Sequence, residues 1–372
     1  MKITCEREPL AAAFQLAVGV VPTRSPKEIL QNVKMTVSDS GLVLTATDME
    51  VGIRIVVAEG VRIDRPGTAL LPVTRTNAIL RESSDETLTF EADDRGILIT
   101  GQRSKFKLPS ANPMEFPQVA GFEEQAYHTL PRPLFRELLR RTVFATDAES
   151  SRYALGGVLL EMDSEKVIAV GTDGRRLAKM EGKGTAVGGH HTEGMHTIIP
   201  TRAVLLMDRA LSDKDETVDV AARSSDILVR TSRCTIYSRL VEGRYPNWRQ
   251  VFPQRSAAEQ IEMTVGPLFA ALRQAAIVAD QESRGVDLTF ADGTLRIEGN
   301  TAEVGQSQVE LPIAYTGKSI TLTLDHRYLA DFCKVLEADA NFTFEIESTQ
   351  APALLSTADH YSYVIMPMAR DH

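Results

Sequence analysis

The sequence predicts an α+β protein of three similar domains, each with two helices packed on antiparallel sheets. Two observations carry this prediction. A Pro-Leu pair opens an apolar helical pattern three times, at Pro9-Leu10, Pro133-Leu134 and Pro267-Leu268, with spacings of 124 and 134 residues. Alternating apolar runs divided by Asp, Gly and Ser turns follow each pattern, and alternation of period two marks half-buried strands. A chain of 372 residues has room for three such units.

The elements follow in order. In the first unit the strand-like MKITCE leads into a helix over 9–21, where Pro fits the first turn because its fixed φ and missing N–H cost nothing there. Strands follow across MTVSDSGLVLTATDMEVGIRIVV, then a second helix over 72–82 and closing strands in GILITGQRSKFKLPS. The middle unit repeats the order with AYHTL, a helix over 131–144, strands in LLEMDSEKVIAVGTDGRRLAKM, a helix over 200–211 and DILVRTSRCTIYSRLVEG. The last unit runs QIEMTV, a helix over 266–279, VDLTFADGTLRIEGNTAEVGQSQVEL, a helix over 325–336 and PALLSTADHYSYVIMPM. A Thr-Asp pair at 47–48 recurs at 172–173. Each third is therefore two β-α-β-β-β halves. EFPQVAGFEEQ and YPNWRQVFPQRSAAEQ are Pro-rich and polar, as linkers are, and set domain limits at 1–126, 127–256 and 257–372.

Composition narrows the function. The net charge of −9 argues at first against a chain that coats nucleic acid by bulk attraction. The charge is unevenly placed, however. The six helical segments carry 0, +1, +3, +1, +1 and 0, which is +6 together and leaves −15 elsewhere. Arg136, Arg140 and Arg141 recur at near-helical spacing beside Leu134, Leu138 and Leu139, so one face is apolar and the other cationic. Arg75 and Arg81, Arg202 and Arg209, and Arg273 and Lys334 extend the pattern to other helices. Such groups either decorate solvated faces or present cations to phosphates without reading bases. Arg103, Lys105 and Lys107 alternate along one strand, which suits binding and edge protection equally.

Other chemistry finds no residues. Cys5, Cys234 and Cys333 are odd in number and far apart, which excludes a disulfide framework and favours a reducing, cytoplasmic setting. No window approaches a membrane span, and the N-terminus lacks a signal-peptide core. Gly317-Lys318-Ser319 ends like a phosphate loop, but Pro312 occupies the first glycine position. GKGTAVGG at 182–189 misses dinucleotide spacing and is expected to be a flexible loop. His190, His191, Glu193 and His196 lie in that Gly-rich region with no helix to set ligand geometry. No catalytic set and no cofactor are expected.

Taken in order, MKITCEREPL, ATDME, GQRSKFKLP, SRYALGGVLLE, VGTDGRRLA, SRLVEGRYPNWRQVFP, SRGV and VIMPM resemble the bacterial β sliding clamp family over the whole chain. The resemblance implies a non-catalytic processivity subunit whose two chains close head to tail into a ring around duplex DNA, helices facing the hole. It also implies a pocket for short linear peptides from the replicative polymerase, the clamp loader, repair polymerases and mismatch-repair proteins. That pocket corresponds to Arg152, Leu155, Thr172, Gly174, Arg175, Arg176 and Leu177, with Pro246, Val251, Val364, Ile365, Met366, Pro367 and Met368. Methionine suits a groove that must adapt to several peptides; by itself VIMPM also fits a core strand with a Pro-limited edge.

The same resemblance places Arg24 and Tyr153 toward DNA, beside the helix cations. It assigns the subunit interface to Arg103, Lys105 and Phe106 on one side and to Ile277, Val278, Glu298 and Glu303 on the other. Three departures stand out: Gln250 where a basic residue is common, a chain that continues past Met368, and Glu149 and Ala154 in a loop that approaches DNA in the family. A nucleoid-associated cytoplasmic protein is implied. Two other readings stay open, a three-domain scaffold that binds peptides without encircling DNA and a hydrolase or nuclease with an unrecognised site.

Overall fold

The computed structural model describes residues 1–93, 95–149, 154–253, 258–279, 284–301 and 304–368. Among these residues, six helices of nine residues or more alternate with the strands in the order set out above: Arg7–Val18, Val73–Glu82, Arg132–Val143, Thr201–Ala210, Val265–Ala275 and His326–Lys334. The first begins two residues before Pro9, which therefore sits inside the opening turn, where N–H groups have no intrahelical partner to lose. Each third contains two β-α-β-β-β halves; additional strands at Val61–Arg65 and Thr185–Val187 lie outside that pattern.

By packing density the chain divides into two compact units, and the middle third contributes to both. The first unit comprises Met1–Phe135, Met162–Glu165 and Gly184–Val241. Its larger sheet has nine strands in the order 185–187, 127–131, 217–222, 226–230, 234–239, 51–57, 41–47, 32–38, 67–72. A five-stranded sheet runs 61–65, 2–6, 87–93, 96–100, 105–108. Ile3, Leu10, Phe14, Leu44, Ile53 and Phe90 are fully or almost fully buried, and burial of this kind contributes roughly 1.5–3 kcal/mol per large side chain.

The second unit comprises Arg136–Glu161, Lys166–Lys183 and Glu242–His372. Seven neighbouring strands of an eight-stranded sheet follow the order 157–163, 166–172, 176–183, 361–365, 353–356, 341–346, 259–264, and a four-stranded sheet runs 305–312, 294–301, 285–291, 320–325. Its core is aromatic. Phe332 stacks on both Tyr361 and Tyr363 with centroids 5.7 Å apart, and Phe144 meets Tyr363 at 5.6 Å.

The linker segments pack against the sheets: Phe116 and Val119 are buried, Arg54 donates to the Val119 carbonyl, and the Arg230 guanidinium covers the Phe122 ring at 4.2 Å. In the second linker Tyr245 and Trp248 are buried, and Trp248–Val251 forms a short helix. The aromatics interleaved in these polar segments cover sheet faces. The glycine-rich stretch is also partly regular, since Thr185–Val187 pairs with Tyr127–Thr129. The chain then turns through Gly188 and Gly189, both at positive φ.

Candidate functional site

The expected groove residues gather around the pairing of Arg176–Met180 with Tyr361–Ile365, where Leu177 lies opposite Val364 and Arg176 opposite Ile365. Leu155, Leu177, Val364 and Ile365 are buried, whereas Met366 and Val251 are 41% and 45% exposed. The Met366 N–H donates to the Arg175 carbonyl at 2.9 Å, and the Met368 N–H donates to Thr323 at 2.8 Å. These bonds extend the docking of the chain past the strand into Pro367 and Met368. The segment carrying Pro246, Gln250 and Val251 is held to the same sheet: Tyr245 donates to the Val170 carbonyl, Lys179 lies over the Phe252 ring, and Arg249 grips Glu161 at 3.0 and 2.6 Å.

The turn beside the groove is set by short polar side chains. Thr172 Oγ1 donates to the Arg176 carbonyl at 2.6 Å, Asp173 Oδ1 accepts from the Arg175 and Arg176 N–H groups, and Gly174 supplies a φ of +88°. Arg176 is the hub. It donates to Asp173 at 2.9 Å, to Asp331 at 2.8 Å and to the Phe144 carbonyl at 2.7 Å, and it lies 4.4 Å from the Tyr328 ring centroid. Burial disfavours its charge, but Tyr363, Asp331 and Asp173 more than offset this and hold its pKa above the usual arginine value. Tyr328, Asp331 and Phe144 were missed in the sequence; nothing local marks Asp331, which is 155 residues from Arg176. Arg152 and Tyr153 lie outside the described residues.

Arg75 and Arg140 on the helices and Arg24 in the loop after the first helix are exposed, as are Arg81, Arg202, Arg209 and Lys334. Arg141 is 11% exposed and is bound to Asp359 at 2.6 Å and to Glu137 at 3.4 Å, and Arg136 is half-buried. Arg202 binds Asp48 and donates to the Val20 carbonyl at 2.8 Å, Arg81 pairs with Glu82 at 2.8 Å, Arg209 donates to Leu205, and Lys334 holds Asp331 at 2.9 Å.

Of the expected interface residues, Lys105 and Phe106 lie on an edge strand, Ile277 and Val278 on the short turn Ala276–Val278 after a helix, and Glu298 on the strand next to another sheet's edge. Lys105–Leu108 ends the five-stranded sheet, and Gly305–Pro312 ends the four-stranded one. Phe106 is 36% exposed and joins Ala78 and Ile79 in lining a hollow of about 780 Å³, whose rim includes Arg103. On the other edge Ile277 is 76% exposed and lines a hollow of about 360 Å³ with Phe269, Leu272 and Ala330. Thr301 donates to the Val278 carbonyl at 2.6 Å and Ser307 to Ala275 at 2.7 Å, which fixes the end of that helix to the edge sheet. Glu298 lies opposite Gln308; Glu303 lies outside the described residues.

His190 lies in the expected loop but not at its surface. It is buried, its Nδ1 is 2.7 Å from Nδ1 of His128, and its Nε2 accepts the Ala222 N–H at 3.1 Å, while His191 and His196 are exposed. Among the described residues no group of three or more His, Cys, Asp or Glu side chains could hold a metal ion. No described helix is long and apolar enough to cross a membrane.

Comparison with known proteins gives the arrangement its family. The profiles of the DNA polymerase III beta subunit match in register, the N-terminal domain over residues 1–120, the central domain over 129–247 and the C-terminal domain over 249–369. The chain belongs to the β sliding clamp family. The beta sliding clamp of Pseudomonas putida is 30% identical, covering 99% of this chain and all of that one; that of Escherichia coli is 28% identical with the same coverage. A solved DNA polymerase III subunit beta clamp from Pseudomonas aeruginosa, bound to griselimycin, covers both chains fully with a TM-score of 0.91 at 28% identity. This clamp is a processivity subunit of DNA polymerase III and is not itself catalytic.

Proposed function

We propose that two copies of this chain close head to tail into a ring around duplex DNA, each contributing three domains at 1–126, 127–256 and 257–372. One observation carries this reading. Twice within the chain, the last strand of one third's first half pairs with the last strand of the next third's second half. Val51–Ile55 pairs with Cys234–Ser238, and Arg176–Met180 pairs with Tyr361–Ile365. Among the described strands that end a half, only Gly305–Pro312 and Lys105–Leu108 remain without such a partner, and each ends its sheet. The same rule applied a third time joins them between copies, which satisfies two open edges and closes the assembly.

The repeat also supplies the register. Val51, Arg176 and Gly305 each open a strand four residues after the threonine (Thr47, Thr172, Thr301) that ends the preceding one; Thr47 and Thr172 pair with the second residue of the next strand and Thr301 with the first, so the count along the outer strand, not the hairpin pairing, sets the register. The hairpin bond from the Thr231 N–H to Cys234 matches that from the Gly101 N–H to Ser104, both 2.9 Å. Since Val51 lies opposite Ser238, Gly305 meets Leu108 of the second copy, so that Lys107 faces Gln306 and Lys105 faces Gln308. Glu298 stands beside Gln308 and completes a row with Lys105.

Exposed Arg24, Arg75 and Arg140 attract phosphates weakly and without sequence preference, which permits sliding, while the acidic remainder disfavours DNA elsewhere. Exposed Met366 and Val251, beside buried Leu155, Leu177 and Val364, suit short apolar peptides from the polymerase, the clamp loader, repair polymerases and mismatch-repair proteins. The protein acts in the cytoplasm, at the nucleoid. Loading onto nicked circular DNA tests the ring: retention on circles and loss on linearisation are expected. Equal loss from both forms, or the mass of a single chain at micromolar concentration, overturns it.

A further inference from the structure

The hairpin turn that feeds the open edge is bracketed by one carboxylate. Asp85 accepts the Ser104 hydroxyl at 2.8 Å, the Gln102 N–H at 3.0 Å and the Ser83 hydroxyl at 3.2 Å, while Arg7 Nε donates to its carbonyl at 3.2 Å. Gly101 leaves room for the carboxylate, because a Cβ there would stand 1.9 Å from Asp85 Oδ2 and displace it. The hydrogen bonds from Ser104 and Gln102 hold the Asp85 carboxyl below the usual carboxylate range, as expected of a charged acceptor in use.

The middle third contains the same device. Asp215 accepts the Ser232 hydroxyl and N–H at 2.5 and 3.0 Å and the Ser212 N–H at 2.7 Å, and Arg132 Nε donates to its carbonyl at 3.3 Å. The equivalent turn of the last third is held from the neighbouring third instead: Arg141 of the middle third grips Asp359 at 2.6 Å. The strands after these two turns, Cys234–Arg239 and Tyr361–Ile365, are each engaged with a neighbouring strand across a joint. The third tied turn, 101–104, leads into Lys105–Leu108, whose outer edge is open.

We infer that Asp85 is a positioning residue for association of two copies: it holds the turn so that Arg103 and the edge strand are presented in pairing geometry before the second copy arrives. The inference rests on the ring reading above. Removing the tie leaves the strand's inward bonds in place and loosens only its presentation, so the loss falls on association rather than on folding.

The test uses the full chain as wild type, Asp85→Ala and Asp85→Asn, with dimer Kd from sedimentation over a dilution series and Tm from circular dichroism. Asp85→Ala is expected to raise Kd about tenfold or more while shifting Tm by no more than ~2 °C. Asp85→Asn keeps an acceptor for the Gln102 N–H and is expected to recover most of the affinity. A wild-type dimer with unchanged Kd in both variants overturns the inference alone, as does a Kd loss matched by a large fall in Tm. A wild-type monomer throughout overturns the ring reading, and the inference with it.

Discussion

Lys107→Pro isolates the interchain strand pair. The Gly101–Ser104 turn pair is hydrogen-bonded, so antiparallel alternation makes Phe106 and Leu108 the inward-bonded residues of the edge strand and points the N–H groups of Lys105 and Lys107 outward. The first internal joint agrees. The Arg239 N–H donates to Glu50 at 2.9 Å and the Val56 N–H to Arg233 at 2.8 Å, which places Thr235 and Tyr237, the counterparts of Lys105 and Lys107, at bonded positions between them. Proline at 107 therefore removes one outward donor, spares the hairpin and leaves the carbonyl of Gln306 without its partner. The loss is about 1–3 kcal/mol per joint. Dissociation opens two joints, giving about 2–6 kcal/mol, or roughly 30-fold to 10⁴-fold in dimer Kd at 1.4 kcal/mol per decade. Sedimentation over a dilution series measures this; Tm moves little, whereas Phe106→Pro, which cuts the inward bond to Ile99, lowers Tm by several degrees. A Lys107→Pro dimer as tight as wild type refutes the register.

Two further outcomes are expected. Met366→Ala combined with Leu177→Ala should weaken an apolar polymerase-derived peptide by about 2–4 kcal/mol in a calorimetric titration while leaving dimer mass unchanged; undiminished affinity would remove the groove assignment. Burial holds both His128 and His190 below the ordinary histidine value of 6.5, so the folded chain binds fewer protons than the unfolded one. Their contribution is complete above about pH 6.5 and fades as pH falls below it, and denaturant midpoints at pH 7 and pH 5 should show the drop. His128→Leu should flatten that limb and cost about 1–3 kcal/mol at pH 7, because the His190 Nδ1–H loses its acceptor.

Periodicity carried most of the fold. The strand runs around Thr47 and Thr172 and the Pro-Leu helix starts appear where the alternation and Pro placement put them, because local burial patterns decide those elements. Joints were not legible. Nothing near Val51 announces Ser238 as its register mate, and Arg176 gives no hint of Asp331, since such pairings depend on how distant sheets meet. Helix charge was visible but its use was not: Arg140 is exposed whereas Arg141, one residue on, is turned toward Asp359 and Tyr361. For the groove, the residues came from family resemblance, and the lattice of bonds that shapes it, from Tyr245 to Val170 and from Arg249 to Glu161, came from the structure.

The split of the middle third between two compact units has a consequence for synthesis. Strand Val51–Val57 is apolar and β-branched, and its neighbour in the nine-stranded sheet is Cys234–Arg239. A nascent chain that has emitted the whole first third still carries that strand with an uncovered edge, and it stays uncovered until nearly all of the middle third has emerged. During that interval the growing polypeptide displays a sticky β-edge, a natural binding target for a chaperone and a point at which two nascent chains on one message can mispair. Cutting the gene at the first linker would make this transient hazard permanent, so an isolated first third should precipitate although its own helices and hairpins are complete.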